Sequence, residues 1–170
     1  MLSKLKKSNS KGFTIIEVMI VLAIAGLIIL IVLLAVPALQ RSGRNTAMKS
    51  DATSISAAVN EFKSNNEGRT PNSVTGTAPD ISITNTAAGS AAAQAKIQTG
   101  TTVTYVTAAP ATYTTTTGTI IYVYSSAKCV GSNYATVTDL DITAGAARSV
   151  AVIYPVEQRT GAPSGRCIDS

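Results

Sequence analysis

The 170-residue chain contains no histidine and no tryptophan, and only two cysteines, Cys129 and Cys167. Without imidazole there is no His general base, no Ser–His or Cys–His nucleophile pair and no His-ligated zinc. Two cysteines are too few for a four-cysteine zinc site and, at this separation, do not form a redox CxxC. Charge is also scarce: 14% of residues are charged and 5% are aromatic, against 45% hydrophobic. No Asn-x-Ser/Thr acceptor occurs, which excludes N-linked sugar of that type. No nucleophile elbow, phosphate loop or metal-ligand cluster is visible, and the expectation is a protein that is not an enzyme and carries no cofactor and no metal.

The net charge of +5 is local. Lys4, Lys6, Lys7 and Lys11 supply four of the five, and from Phe13 onward ten basic residues face nine acidic ones. A body so close to neutral offers no broad field for nucleic acid. The basic segment is an address instead.

That address precedes a long apolar run, Val18–Val36, with no polar residue in it. As a helix, at about 1.5 Å per residue, it would be about 28 Å long, close to the hydrocarbon thickness of a bilayer. It is apolar on every face, unlike a soluble amphipathic helix. Lysines before it and none within it place the N-terminus in the cytoplasm and the remainder outside. A conventional secretory signal would have a shorter apolar region, about 7–15 residues, and Val36-Pro37-Ala38 matches its cleavage site only loosely. A permanent single-span anchor is the other plain alternative. Glu17 sits awkwardly with both: in the first turn a carboxylate suits the helix dipole and can snorkel, yet an acid in a membrane helix is a functional signal.

Lys11-Gly12-Phe13-Thr14-Ile15-Ile16-Glu17, followed by the apolar run, resembles the class III signal of type IV pilins and prepilin-like proteins. The resemblance covers about residues 1–65. It implies that residues 1–12 are a leader cut after Gly12 by a prepilin peptidase, that Phe13 becomes the methylated start, and that Glu17 matches the family's assembly acid. In a staggered helical assembly, Glu17 of one subunit can meet the terminal amine of a neighbour, a pairing that fixes register because an unpaired charge there is costly. Many pilins bend this helix with an earlier proline; here the first is Pro37, and Pro37 to Gly43 is the candidate hinge.

The resemblance further implies an α+β fold: a hydrophobic assembly helix (13–39), an amphipathic helix (40–66), and an antiparallel sheet (101–170) packed against it. Met48, Ala52, Ile55, Val59 and Phe62 are spaced to share one helix face, with Lys49, Asp51, Asn60, Glu61 and Lys63 on others. Asn65-Asn66-Glu67-Gly68 with Pro71 ends the helix. Residues 67–100, rich in Thr, Ala, Gly and Ser, are expected to be an exposed connector with a short helix across Ala87–Ile97. Strands are expected at Thr101–Thr107, Thr119–Ser125, Tyr134–Leu140 and Arg148–Tyr154, with a hairpin tip at Thr114–Gly118. Tyr105, Tyr122, Tyr124 and Tyr154 are expected to pack rather than bind. Cys129 and Cys167 lie in the exported half, where oxidation favours a bridge, and many pilins close a C-terminal loop this way; two free thiols are the alternative. Asp139, Asp141 and Asp169 could supply oxygens to calcium, but exposed solvated carboxylates suit this spacing better.

The resemblance implies a structural subunit of a type IV pilus, serving adhesion, twitching motility or DNA uptake. Its implied partners are other pilin subunits, the prepilin peptidase, and the assembly platform with its ATPase. It would sit in the cytoplasmic membrane before assembly and in an extracellular filament afterwards, with nucleic acid engaged only through the filament. A pseudopilin of a secretion or competence system and a membrane-anchored or secreted binding domain are the competing readings.

Overall fold

A computed structural model describes residues 12–87, 89–107, 119–130, 142–160 and 163–170. The chain divides into two units, Met1–Leu39 and Gln40–Ser170. One helix, α1 (Ile15–Asn65), contributes to both. Its N-terminal part holds Gly26 but no proline before Pro37, which lies inside the helix. Proline gives no N–H to the carbonyl four residues back, a loss that apolar membrane helices tolerate. In the first unit every described residue is exposed.

In the second unit α1 buries Met48, Asp51, Ala52, Ile55, Ser56, Ala58, Val59 and Phe62. The five apolar residues that share a face by spacing are all among them. Asp51, expected on a face other than the apolar one, is buried as well, at 4% exposed. The helix stops in a Schellman arrangement, with the Gly68 N–H donating to the Lys63 carbonyl at 2.7 Å and Glu67 in the left-handed region at φ 55°.

Nine strands follow: β1 (Ser73–Thr77), β2 (Asp80–Thr84), β3 (Ala93–Lys96), β4 (Thr102–Val106), β5 (Ile120–Ser125), β6 (Ala127–Cys129), β7 (Ile142–Ala144), β8 (Val150–Val156) and β9 (Ser164–Asp169). They form sheets ordered β1-β2-β3, β4-β5-β8-β9 and β6-β7. The long helix against sheets is the α+β pilin-like architecture. The four-stranded sheet is mixed rather than wholly antiparallel, because β4 runs parallel to β5. A hairpin joins antiparallel strands, so β4 and β5 are not hairpin partners; Thr114–Gly118 lies outside the described residues, as does the expected strand Tyr134–Leu140.

Residues 67–100 depart most from expectation. The exposed connector and its short helix across Ala87–Ile97 are replaced by the three-stranded sheet. Ile81, Ile83, Ala93, Ala95 and Ile97 from this stretch join the core formed with α1. Alternation explains it: Ala93 and Ala95 are buried while Gln94 and Lys96 are exposed, the period-two pattern of a half-buried strand.

β8 is covered on both faces. Val150, Val152 and Tyr154 join the core with α1. Ala151 and Ile153 join Tyr124 and Ala127 in a second cluster, flanked by Cys129 and Cys167. Two-sided cover accounts for the unbroken apolar reading of this strand. Pro155 is accommodated because β5 pairs β8 only over Val150–Ile153, so beyond it β8 has β9 as its ladder partner. Of the four tyrosines, Tyr124 and Tyr154 are buried, Tyr105 packs against the core, and Tyr122 stacks on Tyr124 with centroids 6.1 Å apart.

Candidate processing and assembly segment

Thr14 is the N-cap of α1. Its backbone N–H donates to Glu17 Oε2 at 2.8 Å and its hydroxyl to the same oxygen at 2.7 Å. In return the Glu17 N–H reaches Thr14 Oγ1 at 3.4 Å. This is a capping box, in which residues at N-cap and N3 satisfy each other's unpaired backbone donors. Its signature, Thr-x-x-Glu before an apolar run, is legible in Thr14-Ile15-Ile16-Glu17, where it names a local partner for Glu17. The carboxylate thus has a job within its own chain.

Phe13, just outside the cap, is 89% exposed. A side chain at Gly12 would meet nothing within 4 Å, and its backbone is not in the left-handed region. Its lack of a side chain therefore answers no constraint inside the described chain. Gly43 also has open space around it, and Pro37 and Gly43 both lie within continuous helix. Large apolar side chains from Ile15 to Leu39 are 39–82% exposed. By length and composition this stretch of α1 can cross a membrane.

In the second unit Cys129 and Cys167 are bonded, with Cα atoms 5.9 Å apart, and Asp169 Oδ1 accepts the Cys129 N–H at 2.7 Å. These three residues cluster closely enough to suggest metal ligation, but both sulfurs are spent in the bridge and neither is a thiolate ligand. Asp139 and Asp141, the other members of the carboxylate trio, lie outside the described residues.

A further arrangement, invisible to local reading, stands just past the apolar segment. Arg44 meets Glu157 in a bidentate pair, Nε and Nη2 each 2.7 Å from a carboxylate oxygen. Asn45 exchanges two bonds with the Glu157 backbone, at 3.0 and 2.8 Å. Arg41 Nη1 donates to the Gln158 carbonyl at 3.4 Å. The Arg44 hydrogen bond holds the Glu157 carboxyl below its ordinary value, partly opposed by desolvation, and the charges of Arg44 and Arg41 add to the effect.

The prokaryotic N-terminal methylation motif matches residues 7–33. That span contains Gly12, Phe13, the capping box and most of the apolar run, and it is the class III signature of type IV pilins and prepilin-like proteins. The chain thus carries a prepilin-type N-terminal segment over these residues. No curated protein and no solved structure matches the chain.

Proposed function

We propose that this protein is a structural subunit of a type IV pilus, polymerising through its N-terminal helix into a surface filament for adhesion, twitching motility or DNA uptake. The observation that carries the reading is the wholly exposed apolar stretch Ile15–Leu39 behind the Gly12–Phe13 motif. Such a surface is unstable in water and finds cover in lipid or against identical helices. The subunit waits in the cytoplasmic membrane with its N-terminus inside, and the prepilin peptidase cuts between Gly12 and Phe13. Glu17, freed from its cap or shared with it, meets the methylated amine of a neighbouring subunit. Pro37 and Gly43 supply the hinge. The assembly platform and its ATPase then move the subunit from lipid into the extracellular filament.

The test is the mass of the N-terminal peptide from a sheared surface fraction. The expected result is a peptide beginning at methylated Phe13 in high-molecular-weight material. A start at Leu39 would mean an ordinary signal peptide and a secreted domain. Retention of Met1 would mean a membrane-anchored protein.

A further inference from the structure

We propose that the beginning of the second unit is a docking surface for anionic phospholipid headgroups, formed by Arg41, Arg44 and Arg159. The inference rests on the reading of the preceding apolar stretch as membrane-embedded before assembly.

Position is the first argument. Arg41 and Arg44 follow Val36, the last residue of the apolar run, by five and eight positions, about 8 and 12 Å of helix at 1.5 Å per residue. A bilayer has about 30 Å of hydrocarbon and about 40–45 Å with its headgroups, leaving about 5–8 Å of headgroup layer on each side. Arg41 therefore emerges among lipid phosphates, and Arg44 just beyond them.

The second argument is that a distant part of the chain is brought to the same place. The bonds from Arg41, Arg44 and Asn45 to Glu157 and Gln158 hold the segment after β8 against the first turn of the unit. Arg159 is the next residue along and is exposed. A helix turn and a loop 113 residues away thus present one cationic surface.

The third argument is charge. Glu157 is the acid in this group, and Arg44 holds it with both oxygens engaged. Arg41 also feels Glu157 electrostatically. Neither Arg41 nor Arg159 forms a carboxylate ion pair among the described residues, so two positive charges remain in excess. The guanidinium fork matches phosphate oxygens bidentately and is more weakly hydrated than an ammonium. Each unpaired cation at an anionic membrane surface gives about a fivefold enrichment, and two give about twenty-fivefold.

The full-length chain in neutral detergent, supplied with phosphatidylglycerol or phosphatidylcholine at equal mole fraction, tests this by native mass spectrometry of retained lipid. Wild type is expected to retain phosphatidylglycerol selectively. The double variant Arg41→Gln/Arg159→Gln leaves the Arg44–Glu157 pair in place and is expected to lose about twenty-fivefold of that preference. Arg41→Lys/Arg159→Lys is expected to keep most of it. Excess inorganic phosphate should leave lipid retention unchanged; displacement would make this a free-oxyanion site and overturn the headgroup assignment. An equal preference in the glutamine variant would assign lipid selection to Lys4, Lys6, Lys7 and Lys11 and overturn the proposal, as would no preference in wild type. Assembly plays no part in the measurement, so its failure leaves the filament reading standing. Retention of Met1 would remove the filament reading without altering this result, whereas a start at Leu39 would remove both.

Discussion

Asp51 and Asn66, fifteen positions apart on or just past α1, hold the two ends of the segment containing β3. The Asp51 carboxylate accepts the Gln98 N–H at 3.2 Å and the Thr101 hydroxyl at 2.9 Å. Asn66 accepts the Ala91 N–H at 2.8 Å and donates to the Ala91 carbonyl at 2.9 Å. Fifteen residues of helix rise about 22 Å and seven of strand about 23 Å, so the two anchor points match in length. Side chains too small to hold a strand by packing alone are thus supported at both ends by polar bonds.

Asp51→Ala should therefore be among the most damaging single changes in the second unit. It leaves the Gln98 N–H and the Thr101 hydroxyl without their acceptor, and an orphaned buried group costs about 1–3 kcal/mol. The expected loss is about 2–4 kcal/mol in urea unfolding followed by tyrosine signals. Lys49→Ala, on an exposed side of the same turn, should change stability by less than about 0.5 kcal/mol.

Glu67→Gly should act in the opposite direction. Glu67 occupies the left-handed position after the helix end at φ 55°, which glycine adopts without the side-chain penalty of about 1 kcal/mol. Its carboxylate is exposed and makes no ion pair among the described residues. A gain of about 0.5–1 kcal/mol in the same unfolding experiment is expected. No gain would mean that the charge or the unfolded-chain entropy offsets the relieved backbone.

What the sequence makes legible follows from how local each signal is. The Gly12–Phe13–Glu17 spacing, the apolar run and the Met48–Phe62 face are all readable within one helix. The β1–β3 sheet is hidden because its buried side chains are a few isoleucines and alanines among Thr, Ser and Gly, a composition shared with exposed loops. Its strands gain cover only against α1. Asp51 looks like a solvent-facing charge until Gln98 and Thr101, 47 and 50 residues on, are placed beside it. The pair Arg44–Glu157 is likewise set by tertiary contact. β9 is hidden for a different reason: Gly165, Arg166 and Cys167 give little strand signal, and pairing along β8 supplies what propensity lacks.

The Arg44–Glu157 pair should make stability fall in acid. Glu157 has a lowered folded value relative to the ordinary 4.5, first through the Arg44 hydrogen bond. A depressed carboxylate contributes stability that is complete above its unfolded value and is lost as pH falls through the folded one. Wild type should therefore lose a contribution below about pH 4.5 that Glu157→Gln lacks at every pH. Urea midpoints measured for both proteins from neutral pH downward should converge in acid; parallel curves would remove Glu157 from the acid response. High salt should narrow the gap, since the Arg44 side chain is 57% exposed.

Opening the disulfide should destabilise the second unit without unthreading α1. Cys129 and Cys167 are separated by 38 positions, for which loop entropy gives about 4 kcal/mol. Cys129→Ser/Cys167→Ser should lose about 3–4 kcal/mol in urea unfolding. Maleimide should find no thiol in the unfolded, unreduced wild-type chain and two after reduction. Reaction without reductant would show that the bridge is absent from the protein isolated.

Thr14 and Glu17 allow the two roles of the acid to be separated. Glu17→Gln keeps an amide oxygen to accept the Thr14 N–H and hydroxyl, so the helix start survives, but it removes the charge that would pair with a neighbouring amine. Thr14→Ala keeps the charge and removes the hydroxyl side of the cap, at a cost of about 1 kcal/mol. If charge pairing sets register, Glu17→Gln should be cleaved after Gly12 normally yet lower filament recovered by shearing at least about tenfold, a loss on the scale of one buried charge left unpaired. Thr14→Ala should then assemble nearly as wild type does. Filaments from Glu17→Gln at wild-type yield would defeat the pairing and leave Glu17 as a cap. Equal failure of both variants, with cleavage intact, would place the requirement on a rigid helix start instead, because that is the property the two would then share.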